Sequence, residues 1–338
     1  MWSLATVALL ASEWLIVRDA TWRAVAFSVT AAALGLLSLP LRERRLWLAG
    51  WGVGSGTGFV TVTLLGAIWA IDGADPARHA IAALGVVIAL VTICALAWGE
   101  KERRDLVTVA WAVALGSVIV GEAFFLGGGG ATAFVVALTG AAVATATAPL
   151  HEQRLWWAGA IVVSATSAFV VALLTPPSHF LESSAGPAAR LWVAVGCVAA
   201  GVALRIAGPS YRRFIDPIVG VGALYVLSLG ILDLAQRAFG GTIEADFERG
   251  HVAVSVLWTL IGLGLLIAGL MRDERLLRYG GLALFGLSLA KIFLYDLSTL
   301  NSAARALSFI VVGALVLAGG FFLQKLSARM GQGRPRTP

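Results

Sequence analysis

The sequence predicts an all-α integral membrane protein of about twelve transmembrane helices, arranged as three parallel repeats of four. Three observations carry that prediction. Hydrophobic residues make up 59% of the 338-residue chain and charged residues 13%, whereas a soluble globular domain is about 25% charged. With a mean hydropathy of +0.88, too little polar side chain remains to cover a surface that faces water. Apolar runs of spanning length follow one another down the chain, and one stretch repeats at a fixed offset.

A span needs about 20 apolar residues. Reading between charges and Gly/Pro punctuation places spans near 1–17, 22–41, 46–71, 79–98, 106–126, 130–149, 155–175, 188–208, 214–236, 251–271, 276–297 and 304–324. Residues 327–338, rich in Arg, Gly and Pro, read as a disordered tail. The first apolar run begins at Trp2 with no basic region before it, so no cleavable leader is expected.

Residues 40–65 align without gaps to 149–174, with 14 of 26 positions identical at an offset of 109. The same offset pairs Trp2 with Trp111 and Glu13 with Glu122. A weaker third copy lays 272–281 over the same loop, pairing Arg275 with Arg45. The fourth span of each unit opens alike and puts Arg78, Arg190 and Arg305 at equivalent positions. The expected units are therefore 1–104, 105–213 and 214–326.

Orientation follows from the loop cations. Loops after the even-numbered spans, with the C-terminal tail, hold 17 Lys and Arg, and those after the odd-numbered spans hold 7. Both termini are expected on the cytoplasmic side, and an even number of spans per unit makes the repeats parallel. The net charge of +6 then reports orientation and not nucleic-acid binding.

A charge at mid-bilayer costs about 2.5–3.5 kcal/mol on insertion scales, so it faces a partner or water. Glu13, Glu122 and Asp233 lie toward the outer ends of the first spans of the units, and the three arginines start the fourth. The simplest account pairs each acid with its unit's arginine, as a helix clasp or as the lining of an outward polar cavity. Lys291 stands inside a span. With Ser288, Tyr295 and Thr299 it forms one polar stripe on an apolar helix, and Asp233 or Asp296 would be its partner.

Other features read as structural. Cys94 and Cys197 fall inside apolar runs, and the four histidines are scattered, so no metal set or disulfide framework is read from them. The glycines of 52–58 lie within a span, where helix packing suits them better than a nucleotide. The Gly127–Gly130 run is expected as a tight outer hairpin, and 237–250, with Glu244, Asp246 and Glu248, as an outer loop. Trp2, Trp47, Trp69, Trp98, Trp156 and Trp157 sit where interfacial anchors are expected.

In 277–326, the pattern Lys291, Phe293, Asp296, Leu297, Leu300, Arg305, Ser308 and Phe309 resembles the closing signature of a bacterial multi-pass family, domain of unknown function 2339. The resemblance implies a membrane location and a shared helix-pair motif, and no activity. Members of that family are usually longer, with a soluble N-terminal region, so the chain resembles a short member or the last portion of one.

The function these residues favour is transport or handling of an envelope-related solute or lipid-linked molecule at a bacterial inner membrane. It would use an outward polar cavity with Lys291 and Asp296 at its centre and Arg305 as an anion contact. A scaffolding protein whose charges clasp helices is the second class; its partners would be other membrane proteins or further copies of the chain. A membrane-embedded transferase, resting on 244–248 alone, is the third. No catalytic residue, cofactor or metal is assigned, and the bilayer is the one firm partner.

Overall fold

A computed structural model describes residues 2–61, 76–97, 103–127, 129–176, 187–239 and 243–292, with isolated positions between 310 and 321. Eleven helices of at least fifteen residues run through the described residues. They are α1 (Trp2–Ile16), α2 (Ala20–Leu41), α3 (Arg44–Val60), α4 (Pro76–Leu96), α5 (Arg104–Phe125), α6 (Gly129–Thr145), α7 (Gln153–Phe169), α8 (Pro187–Ala207), α9 (Arg212–Phe239), α10 (Ile243–Met271) and α11 (Arg275–Lys291). No strand occurs among the described residues. Helix is the expected outcome in lipid, where each backbone N–H and C=O must be satisfied within its own segment. Seven helical stretches are long and apolar enough to cross a membrane, in α2 and α5 to α10, while α1 and α4 carry shorter apolar stretches.

The interior is small and the surface is large, the reverse of a water-soluble protein. Ala31, Ala82, Ala110, Ala137 and Ala144 are fully buried, while Leu15, Trp192, Phe214, Ile218 and Leu260 are exposed. In lipid no hydrophobic drive pulls large apolar groups inward, so small residues take the helix contacts and let backbones approach. α3 illustrates it. A Cβ on Gly50 would meet Ala31 O at 2.7 Å, and one on Gly58 would meet Val113 Cγ1 at 2.5 Å, whereas Gly52 and Gly56 face open space. The glycine run at 52–58 thus includes part of a packing stripe, Gly54 and Gly58, which continues Gly50 at a spacing of four.

The chain divides into two compact units, Met1–Pro176 with Ala189–Val221 and Pro177–Ala188 with Gly222–Pro338. In the first, α2 packs on α3 and α4, α4 on α5, and α6 on α7; in the second, α10 packs on α11.

One junction occurs three times among the described residues. A helix ends in a left-handed residue (Arg42, Asp273 or His151), a glutamate at the next position takes an extended conformation, and a new helix starts. Those glutamates are Glu43, Glu152 and Glu274, and none bonds its own helix through its side chain. Each helix that follows crosses its predecessor at a glycine. Cβ atoms on Gly50, Gly159 and Gly281 would strike Ala31 O, Gly140 O and Gly262 O at 2.7, 2.3 and 2.7 Å. Each then turns to π geometry, at Thr61, Val170 and Ile292. This register pairs Arg275 with Arg44, one residue away from the sequence alignment, because the backbone junction sets it and the run of arginines does not.

Two elements differ from expectation. Residues 243–250 are helical as the start of α10. Trp47 and Trp156 are buried, not interfacial, and donate through Nε1 to Ile93 O and Leu204 O, each at 3.1 Å. Trp157 is exposed, while the side chains of Trp2, Trp69 and Trp98 lie outside the described residues. α5 and α6 are joined tightly, with Gly127 and Gly129 at positive φ.

Candidate functional site

Two intramembrane acids take matching partners. The Thr30 hydroxyl on α2 donates to Glu13 Oε1 on α1, and the Thr139 hydroxyl on α6 donates to Glu122 Oε1 on α5. In both, Oε2 is buried without a hydrogen-bond partner among the described residues. Both pairs follow the offset of 109. Among the described residues, each acid thus has a threonine partner on the following helix. Arg190 lies half-buried in the first turn of α8, and the side chains of Arg78 and Arg305 lie outside the described residues.

Asp233 departs from that pattern. Its Oδ2 takes a 2.8 Å ion pair from Arg237, one turn along the same helix. Its neighbour Leu232 lies against Gly250 near the start of α10, twelve residues before the Gly262 crossing, whereas Thr30 is next to the Ala31 crossing. At 1.5 Å per residue, the Leu232 contact therefore lies about 18 Å along α10 from the Gly262 crossing.

Lys291, half-buried, donates from Nζ to His251 O at 3.1 Å and to Ser255 Oγ at 2.5 Å on α10. Asp233 is not its partner; Tyr295, Asp296 and Thr299 lie outside the described residues. Ser288 is fully buried and returns its hydroxyl to Leu284 O. In the junction register it matches Thr57 and Thr166, which are buried too, so a buried hydroxyl follows each of the three junctions, and Lys291 follows one of them. Lys291→Met is expected to loosen α10 from α11, and Lys291→Gln, which keeps a donor, to do so less. Disulfide trapping between cysteines placed on the two helices would read this.

A cavity of about 510 Å³ lies in the first unit, among α4, α5, α6 and α7. Its walls are apolar, including Val87, Val91, Leu115, Val118 and Val143, and Thr139 lines it at the depth of Glu122. Its other end carries Arg104, His151, Glu152 and Arg154. There Arg104 Nη2 meets Glu152 at 3.2 Å, and Arg154 reaches Asp105 at 3.3 Å, Arg104 O at 3.1 Å and the Thr108 hydroxyl. The sequence marked none of these residues as a site. The charges of this mouth read as loop cations, and the cavity gathers residues from 87 to 158 that no motif unites. The residues expected to line an outward cavity do not line this one.

The description predicted membrane protein (DUF2339) names a family model that matches residues 3–326. The chain belongs to the DUF2339 family. The match covers nearly the whole of this DUF2339 chain and extends well upstream of 277–326, the stretch that carries the resemblance in sequence. No curated protein matches the chain. No solved structure matches it. The family description, the helical architecture and the inverted burial pattern agree on a multi-pass membrane protein.

Proposed function

We propose that this DUF2339 protein handles, and moves across the membrane, an envelope-related molecule with a lipid-like part, within a bacterial inner membrane. Twelve spans in three parallel four-helix units, with both termini cytoplasmic, complete the reading. The observation that carries it is the α4–α7 cavity, which joins a charged mouth to apolar walls and reaches Thr139, the partner of Glu122. The expected route therefore shifts from Lys291 and an outer opening to this cavity. Its mouth lies at the loops after α4 and α6, the cation-rich side of the chain.

The test is flux. Purified protein in vesicles should speed exchange of a fluorescent phospholipid between leaflets, read by chemical bleaching of the outer leaflet. Thr139→Val, which removes the hydroxyl that donates to Glu122, should slow it by about tenfold, the scale of one hydrogen bond. Glu122→Gln leaves an acceptor for Thr139 and should keep the fold. Flux equal in wild type, Thr139→Val and empty vesicles would end the transport reading.

A scaffolding role is the second reading, favoured by Arg154. Its guanidinium, on α7, ties three residues of α5 together. Exposed ion pairs contribute only about 0–1 kcal/mol, so this clasp orients the helices more than it stabilises them.

A further inference from the structure

We infer that the α4–α7 cavity is a binding site for a phosphate-headed lipid, with the phosphate at Arg104 and Arg154 and one acyl chain along the apolar walls. The inference rests on the handling reading above and names its ligand class. Four observations support it.

The first is length. The lined stretch of α5 runs from Arg104 to Val118, about 21 Å at 1.5 Å per residue. One leaflet of a hydrocarbon core about 30 Å thick is about 15 Å deep. A chain anchored at the mouth would therefore reach past mid-bilayer inside the protein. A compact solute would leave most of this groove empty.

Wall chemistry is the second. Between the mouth and Thr139, α4 contributes Val87 and Val91, α5 contributes Leu115 and Val118, and α6 contributes Val143. Such walls offer an acyl chain dispersion contacts, and Thr108 and Trp111 add a hydroxyl and an indole N–H beside them.

Third is the charge at the mouth. Of the Asp, Glu, Lys and Arg residues that line it, Arg104 and Arg154 are always cationic and Glu152 is the one acid. Arginine's planar fork suits phosphate oxygens, which it can meet with paired bonds. Arg104 is more than half exposed, and Asp105, which takes Arg154, is almost wholly exposed. Both ion pairs can therefore open to an incoming anion at small cost.

The backbone is fourth. α5 and α7 both start at this mouth, and neither N-cap residue, Arg103 or Glu152, bonds its helix through a side chain. Helix starts of this kind carry partial positive charge and free N–H groups. They add to the arginines and do not define the site alone.

The test uses the full chain purified in detergent. A phosphatidylglycerol with a photoactivatable diazirine in one acyl chain is added, and cross-linked peptides are mapped by mass spectrometry. Adducts should concentrate on 107–118 of α5 and 139–145 of α6. Ala112→Trp, which fills the cavity from an exposed wall position, should remove them. In native mass spectrometry the protein should retain phosphatidylglycerol over diacylglycerol of the same chains, and Arg104→Gln with Arg154→Gln should reduce retention about tenfold or more. Arg104→Lys keeps the charge and should lose less, so a general folding defect is separable from a lost anion contact.

Adducts spread over outward faces such as Ile218 and Leu260, or unchanged by Ala112→Trp, would mean annular lipid only and overturn the inference. Equal retention of the charged and uncharged lipid would overturn the headgroup assignment. These readouts need no flux. A protein that binds in the cavity but moves no lipid would sink the transport reading and leave this one standing; flux without cavity adducts would do the reverse.

Discussion

Gly159→Ala is expected to cost the protein about 1–3 kcal/mol or more of stability, the range for overpacking a close contact. A Cβ there would stand 2.3 Å from Gly140 O, 2.7 Å from Ala144 Cβ and 2.8 Å from Ala144 N. Two of those atoms are backbone of α6, which no rotamer change can move aside. α7 must instead shift away from α6, and the α6–α7 contact then opens along its length. Gly50→Ala and Gly281→Ala should behave alike, since each meets backbone below 3 Å. Gly56→Ala is the control. Nothing lies within 4 Å of its Cβ, and alanine is the better helix former by about 0.5–1 kcal/mol. Unfolding in mixed micelles with rising denaturing detergent reads all four; equal midpoints for Gly159→Ala and Gly56→Ala would refute the close crossing.

Trp47→Ala should be of similar or greater effect, about 3–5 kcal/mol, as for other buried tryptophans. Its side chain is wholly buried in a cluster with Ala31, Ala89, Ile93 and Ala97, bonds Ile93 O, and lies beneath the Arg103 guanidinium at 4.7 Å. Truncation leaves both a cavity and an unmatched approach of α3 to α4. Trp47→Phe keeps much of the volume and should cost about 1 kcal/mol for the lost bond. Trp156→Ala should follow Trp47→Ala, because it makes the matching bond to Leu204 O and stacks on Tyr211. Trp157→Ala, half exposed, should change little. The same detergent unfolding, with tryptophan emission followed alongside, separates the three positions.

These residues also mark how far sequence carries. Gly50 and Gly159 share an offset of 109 and could be found by alignment. Trp47 and Trp156 can be found too, but their place in sequence points to the interface, because a tryptophan near a charged loop usually anchors there. Burial depended on where α4 and α8 pass, which hydropathy does not report. Gly281 was harder: a run of arginines invited a register one residue off, and the left-handed turn at Asp273 corrects it.

The candidate site was legible only in part. Glu13 and Glu122 stood out as charges in apolar runs, and their recurrence at one offset was visible. Their threonine partners were not, since a hydroxyl every few residues is ordinary in a membrane helix. The cavity was not legible at all.

The sequence alone determined the solvent and the helical class, and it displays the offset of 109 that matches 40–65 to 149–174. The first two follow from composition and local pattern, because lipid demands apolar runs and satisfied backbone wherever the chain goes. Tertiary structure decided which polar groups meet: Glu122 with Thr139, Lys291 with His251 O, and Arg104 and Arg154 at the mouth of one cavity. The physical reason is that lipid tails are as apolar as leucine. A helix apolar on every side carries little record of which face turns inward, and small-residue crossings such as Gly159 on Gly140 set that rotation.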